Sequence, residues 1–231
     1  MFATFSKKAK ISLVALCLLV VGGAATNYSQ SLRANNAKLP EGLTDEPKYL
    51  KWIDKWQDRF PQLESDYFKK VDDGEIISST NPRYTFSEPN LEALFAEIEL
   101  RKTDKYTVIS PDKEQFLTFR NWSTETKEAT SSYVYYRGMR DNKELSGPIY
   151  VCRKTDCYFD RPFFLTPDLF YLPEVQLKVY PDNPTRCEQE GLCSYELFLH
   201  EFNLKTNKRN TFVSSQLLTD FSEVEETLED L

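Results

Sequence analysis

The sequence predicts an α+β chain, mainly antiparallel β, in which N-terminal helices are followed by tandem β-hairpin units with local disulfides and a C-terminal helix. Three observations carry that reading. Apolar residues recur every three or four positions from Tyr49 to Ile98. Beyond Lys105 the pattern changes to period two, in segments rich in aromatic and β-branched residues. Four cysteines stand in two close pairs, Cys152/Cys157 and Cys187/Cys193, among those alternating segments.

The N-terminus reads as an address. Lys7, Lys8 and Lys10 precede an apolar run from Ile11 to Ala25 that ends in small residues, the arrangement of a signal peptide, residues 1–25. The run has 15 residues where about 20 are needed to cross a bilayer as a helix, which favours a cleaved signal over a membrane anchor. A buried core helix is the structural alternative. Cys17 follows Leu16 rather than a small residue, which disfavours a lipid anchor. Cleavage near Ala25 removes three positive charges and no negative ones, moving the net charge from −7 to −10. Clustered Lys and Arg are what neutralise phosphates, so an acidic chain of this kind excludes nucleic acid as a partner and confines membrane contact to the N-terminal segment.

Residues 26–43 are polar with Pro40 and Gly42 and no periodicity, and read as a tether. Residues 44–104 are predicted to be a helical segment packing on the sheet. Tyr49, Trp52, Ile53, Trp56 and Phe60 fall on one helical face, Pro61 ends that helix, and Leu63, Tyr67 and Val71 continue a stripe to the Asp73-Gly74 turn, which gives two short helices. The Trp52/Trp56 face is expected in the core, with a docking face for a partner as the alternative. A third helix follows Ser87 as cap and Pro89 in the first turn, with Leu91, Leu94, Phe95 and Ile98 as its apolar face.

Residues 105–215 form the expected antiparallel β region, with strands in 106–110, 116–119, 133–136, 149–152 and 195–202. A polar turn over Leu204–Lys208 leads into Thr211-Phe212-Val213 to close a hairpin. Residues 216–231 are predicted to be an acidic C-terminal helix, since Leu218, Phe221, Val224, Leu228 and Leu231 recur at steps of three or four and Ser222 with Glu225 fits a capping box. Six acids and no bases occupy its last 12 residues, a solvated face or a recognition tail for a basic partner.

The β region contains two similar stretches. Ser110-Pro111-Asp112 leads into Phe116–Phe119, and 56 residues later Thr166-Pro167-Asp168 leads into Leu169–Leu172; each is followed by a loop and a second aromatic strand. With the Leu204-Lys205-Thr206-Asn207-Lys208 turn, these motifs resemble the blade repeats of β-propeller proteins over about residues 106–214. The resemblance implies blade-like antiparallel units in tandem and no catalytic residue. Two units are too few for a ring, which takes about 4–8 blades, so the expected architecture is a two-unit open sheet or sandwich. An unrelated α+β fold and a propeller completed by oligomerisation are the alternatives.

Each cysteine pair brackets a loop short enough to be a hairpin tip, where opposed residues lie within disulfide reach. Local pairing, Cys152 with Cys157 and Cys187 with Cys193, is the simplest of the three that four cysteines allow. Such rings are expected to contribute on the order of 2 kcal/mol each. Their spacing and the single histidine argue against a metal site, and the absence of C-x-x-C argues against redox chemistry. His200, flanked on its face by Phe198 and Phe202, reads as a structural histidine, with Glu201 on the opposite face. No glycine-rich phosphate loop is present, and no cofactor is implied. Tyr133, Tyr135, Tyr136 and Tyr150 are the candidates for stacking on a ligand, with core packing as their other use. Asn27-Tyr28-Ser29 and Asn121-Trp122-Ser123 match the N-glycosylation acceptor pattern.

The sequence therefore suggests an extracytoplasmic protein of the cell envelope, secreted or anchored, with a binding or structural role toward an envelope protein or a glycan. It is more readily a binding module than an enzyme. The rivals are a glycoside hydrolase using carboxylates such as Asp112, Asp168 and Glu174, and a docking subunit of an envelope assembly.

Overall fold

The structure, a computed structural model, describes residues 38–65, 67–77, 85–119, 133–151, 157–177, 193–215 and 217–219, with 224 and 227. All belong to one unit spanning Lys38–Leu231. The expected N-terminal signal and most of the expected tether, together with both glycosylation motifs, lie outside the described residues.

A 3-10 turn, Leu43–Asp45, leads into helix α1, Pro47–Gln57, with proline in its first turn where a missing N–H costs nothing. The expected stripe is buried: Tyr49, Trp52, Ile53 and Trp56, with Phe60 behind them. The second expected helix is a strand instead. β1, Phe68–Glu75, runs through Asp73-Gly74 and pairs antiparallel with β11, Lys208–Ser214, leaving Tyr67 and Val71 exposed. Three apolar residues at steps of four carry little helical drive, and a free sheet edge satisfies every other backbone group of the segment.

β2, Thr85–Ser87, precedes helix α2, Leu91–Arg101. Its cap is Asn90, whose side-chain oxygen accepts from the Ala93 N–H at 3.0 Å, in place of the expected Ser87. Only Leu94 and Ile98 of the expected face are buried; Leu91 and Phe95 face outward. Strands β3 to β12 follow at Thr107–Ile109, Gln115–Thr118, Tyr133–Arg140, Lys143–Val151, Cys157–Phe159, Phe163–Thr166, Leu169–Leu177, Cys193–Asn203, Lys208–Ser214 and Leu217–Thr219.

The strands form two antiparallel sheets. One has the order β1-β11-β10-β9-β7, with β8 on β9 and β12 on β10; the other has the order β2-β6-β5-β4-β3. Alternation sorts their side chains into layers. Tyr171, Val175, Tyr195, Leu197, Leu199 and Phe212 on one face of the larger sheet join the α1 stripe in one core. Phe170, Leu172 and Phe202 on its other face join Leu117, Val134, Tyr136, Leu145 and Ile149 of the smaller sheet. Phe116, Tyr135 and Met139 on the outer face of the smaller sheet receive Leu94 and Ile98 of α2. The result is four layers, α1, large sheet, small sheet and α2. At the centre of the inter-sheet layer, the directly opposed pair Phe170 and Phe202 stacks with ring centroids 4.7 Å apart.

This arrangement corrects the expected tandem of blade-like units. The two similar stretches enter different sheets, Ser110-Pro111-Asp112 leading into β4 and Thr166-Pro167-Asp168 linking β8 to β9. They are faces of one sandwich, joined where the Gln115 side-chain amide donates to the Pro167 carbonyl. The residues assigned to a purely helical segment also contribute β1 and β2. The expected C-terminal helix is likewise corrected at its start: Leu217–Thr219 is β12, paired with β10. The rest of that segment lies outside the described residues apart from Val224 and Thr227, both buried.

Cys157 and Cys193, the two described cysteines, are each disulfide-bonded. The connection that ends at Cys157 joins β6 of the smaller sheet to β7 of the larger, so Cys152 and Cys157 do not bracket the expected hairpin tip. Cys157 lies opposite Gln176, and Cys193 opposite Thr219, so neither faces a cysteine across its ladder. Cys152 and Cys187 lie outside the described residues.

α2 is held to the small sheet by charge as well as by its two buried residues. Arg137 donates to Glu97 of α2 and, at 2.7 Å, to the buried Glu144 of β6, whose other oxygen accepts from the Asn90 N–H. Burial by itself would raise the Glu97 carboxyl, but hydrogen bonds from Arg101 and Arg137 outweigh it and hold the group below its ordinary 4.5. Stabilisation from a depressed carboxyl is complete above the unfolded-state value and is lost as pH falls through the folded one. Glu97→Gln is therefore expected to flatten the loss of stability below pH 4.5, read as denaturation midpoint against pH. A second expectation concerns Gly138, opposite Gln115, where a Cβ would lie 2.4 Å from the Gln115 Cβ and 2.7 Å from the Tyr136 hydroxyl. Gly138→Ala should cost about 1–3 kcal/mol in urea unfolding.

Candidate functional site

Among the described residues a formed groove lies between α1, the end of β3 and the link from β7 to β8. It has a volume of about 670 Å³, within the range of small-ligand sites. One helical edge of α1, beside its buried stripe, carries Lys48, Lys51 and Lys55 at i, i+3 and i+7, and all three line the groove. Val108, Ile109 and Pro111 form the facing wall, and Asp160 to Phe164 the end wall.

Asp160 fixes this geometry. Its carboxylate is 1 % exposed and accepts from the Trp56 indole N–H at 2.8 Å, the Arg161 backbone N–H at 2.7 Å and the Lys55 ammonium at 3.0 Å. Its own N–H donates to the Pro173 carbonyl of β9 at 3.0 Å. One residue thus ties α1 to the large sheet and turns the chain so that Arg161 projects outward at the groove. Lys48 donates to the Phe164 carbonyl, which anchors the first turn of α1 to β8.

The groove is short of negative charge. Lys55 is matched by Asp160, but Lys48, Lys51 and Arg161 have no carboxylate partner among the described residues. Trp52 adds a second deficit. Its indole N–H is buried with no acceptor among the described residues, and the residue lines the groove. An unsatisfied buried donor of this kind costs about 1–3 kcal/mol.

A second polar cluster is sealed between the sheets. His200 Nδ1 lies 3.0 Å from the Thr211 hydroxyl and Nε2 lies 2.8 Å from Glu174, whose other oxygen accepts from Gln176 at 2.5 Å. The order hydroxyl, imidazole, carboxylate has the connectivity of a nucleophile relay. Glu174, His200 and Thr211 are 0 %, 1 % and 5 % exposed, so the hydroxyl is not presented to a substrate and the three groups satisfy one another. Tyr150 packs on the imidazole with centroids 4.5 Å apart, and burial together with the neighbouring Glu174 charge raises its phenol well above the ordinary value. Glu201 is on the opposite face, as expected, where it accepts from Tyr171 and Asn210 at 2.6 Å.

The four candidate stacking residues do not share a surface. Tyr136 is buried between the sheets, where its hydroxyl donates to Gln115 at 2.6 Å, and burial raises its phenol. Tyr150 is on the same inner layer, Tyr135 packs toward α2, and Tyr133 is half-buried at the start of β5. Of the three carboxylates considered for hydrolysis, Glu174 stands apart from Asp168. Asp112 and Asp168 are exposed in turns and Glu174 is buried six residues into β9 from Asp168, roughly 20 Å along the strand. Trp52 and Trp56, considered for docking, are part of the α1 core. Lys48, Lys51, Lys55 and Arg161 are absent from the sequence-based candidates, because lysines flanking a buried stripe have the pattern of any solvated helix edge.

Comparison with known proteins yields no match: no family model, curated protein or solved structure is similar to this chain.

Removing the Asp160 carboxylate leaves two N–H donors without an acceptor and frees Lys55 to turn to water. Asp160→Ala is expected to lose about 3 kcal/mol in urea unfolding, and Asp160→Asn, which keeps one acceptor oxygen, distinctly less.

Proposed function

We propose that this protein is a ligand-binding module working outside the cytoplasm, with the groove beside α1 as its ligand site. The observation that carries the reading is the combination of a formed cavity and three cations lining it, Lys48, Lys51 and Arg161, that have no carboxylate partner among the described residues. Sites evolved for binding keep a few polar groups unpaired inside a largely apolar concavity, because those groups orient the ligand. The lysine-preceded apolar leader supports the location. Burial of Glu174 against His200, and its distance along β9 from Asp168, support binding over a glycoside hydrolase that uses Glu174 with Asp168, since that chemistry needs two carboxylates within about 5–9.5 Å of each other.

A fragment screen followed by backbone and indole chemical shifts tests the reading. Binders are expected to perturb Lys51, Trp52, Arg161 and Phe163 together, with the Trp52 indole proton among the largest shifts. Binders that perturb only residues remote from α1 would contradict it.

A further inference from the structure

Resting on the groove as a ligand site, we infer that its ligand is a small organic anion bearing two or three negative groups on an apolar body. Across the whole sequence acids outnumber bases, 36 to 29, yet the groove gathers four cations against one carboxylate. That carboxylate is fully engaged by Lys55, Trp56 and the Arg161 N–H. Lys48, Lys51 and Arg161 are left without an acidic partner among the described residues, although surface acids are plentiful enough to have matched them. Cations held together in this way repel one another, and a bound anion removes that repulsion.

The spacing selects the number of charges. Along the axis of α1, Lys51 stands about 4.5 Å from Lys48 and about 6 Å from Lys55. Arg161 comes from a different wall, with one guanidinium nitrogen donating to the Lys105 carbonyl at 3.3 Å and no carboxylate partner for its fork among the described residues. A single carboxylate or phosphate meets one or two of these cations and leaves the others unmatched. Two or three anionic groups match them all. Val108, Ile109 and Phe163 supply the apolar surface for the ligand body. Phosphate, sulfate and carboxylate share this chemistry, and a free metabolite or an exposed headgroup can carry it.

The test is titration calorimetry of the full-length protein with naphthalene mono-, di- and trisulfonate and with neutral naphthalene methanol, at low and high salt. Affinity is expected to rise on the order of tenfold with each of the second and third sulfonates at low salt and to converge toward that of the neutral probe at high salt. Lys51→Gln, an exposed substitution that leaves the fold intact, should weaken the di- and trisulfonate about three- to tenfold and leave the neutral probe unchanged. Equal affinity for all four probes, or no response to Lys51→Gln, would overturn the inference while leaving the groove as a binding site. Shift changes confined to residues away from α1 in the presence of the trisulfonate would overturn both. If the trisulfonate binds, anionic vesicles added as competitor separate the sources: displacement assigns the site to headgroups, and no displacement to a free anion.

Discussion

A single buried carboxylate sets the relation between the helix and the sheets. Asp160 stands at the link from β7 to β8 and receives the Trp56 indole, the Lys55 ammonium and its neighbour's N–H, while its own N–H completes a bond to β9. A charge in that position is tolerated only because each acceptor direction is filled. Its partners are specific in direction, so they define both the height and the rotation of α1. Hydrophobic burial of Tyr49, Ile53 and Trp56 supplies the attraction but would accept many small rotations of the helix. The polar contact selects one, and that one brings three lysines to the lip of the groove.

The same division of labour recurs in the other layers. Aromatic side chains fill the space between the sheets, and the Glu174, His200 and Thr211 cluster fixes the register of three neighbouring strands within that apolar layer. Each of its groups comes from a different strand, β9, β10 and β11, so a slip of any one would strand buried polar atoms. On the far side, Arg137 bridges Glu97 and Glu144 and performs for α2 what Asp160 performs for α1. The buried contact surface of α2 is small, Leu94 and Ile98 against Phe116, which makes that bridge the more important there.

Much of the β region is legible in the sequence, because alternation over Tyr133–Tyr136 and Tyr195–Phe202 has one physical cause, a sheet face turned to a core. The β10 to β11 turn is legible for the same kind of reason: Asn207 takes a positive φ of 56° that asparagine tolerates. A comparable signal, Asp141-Asn142 between β5 and β6, with φ of 50° and 61°, marks a two-residue hairpin that the sequence reading passes over. β1 is not legible from local pattern, since its strand state comes from β11, more than a hundred residues away. Nor does any local signal single out Asp160, whose partners are 104 and 105 positions distant. The cationic groove is hidden for the same reason. Lys48, Lys51 and Lys55 have the spacing of a solvated helix edge, and only the facing walls from β3 and the β7 to β8 link turn that edge into a site.

Hydrogen exchange of the Trp56 indole N–H in the native protein tests the central role of Asp160 most directly. The bond to Asp160 predicts protection comparable to that of the β9 and β10 amides, since opening it requires α1 to leave the large sheet. Exchange as fast as that of an exposed indole would contradict the account, because α1 would then be free to rotate and the groove would have no fixed wall.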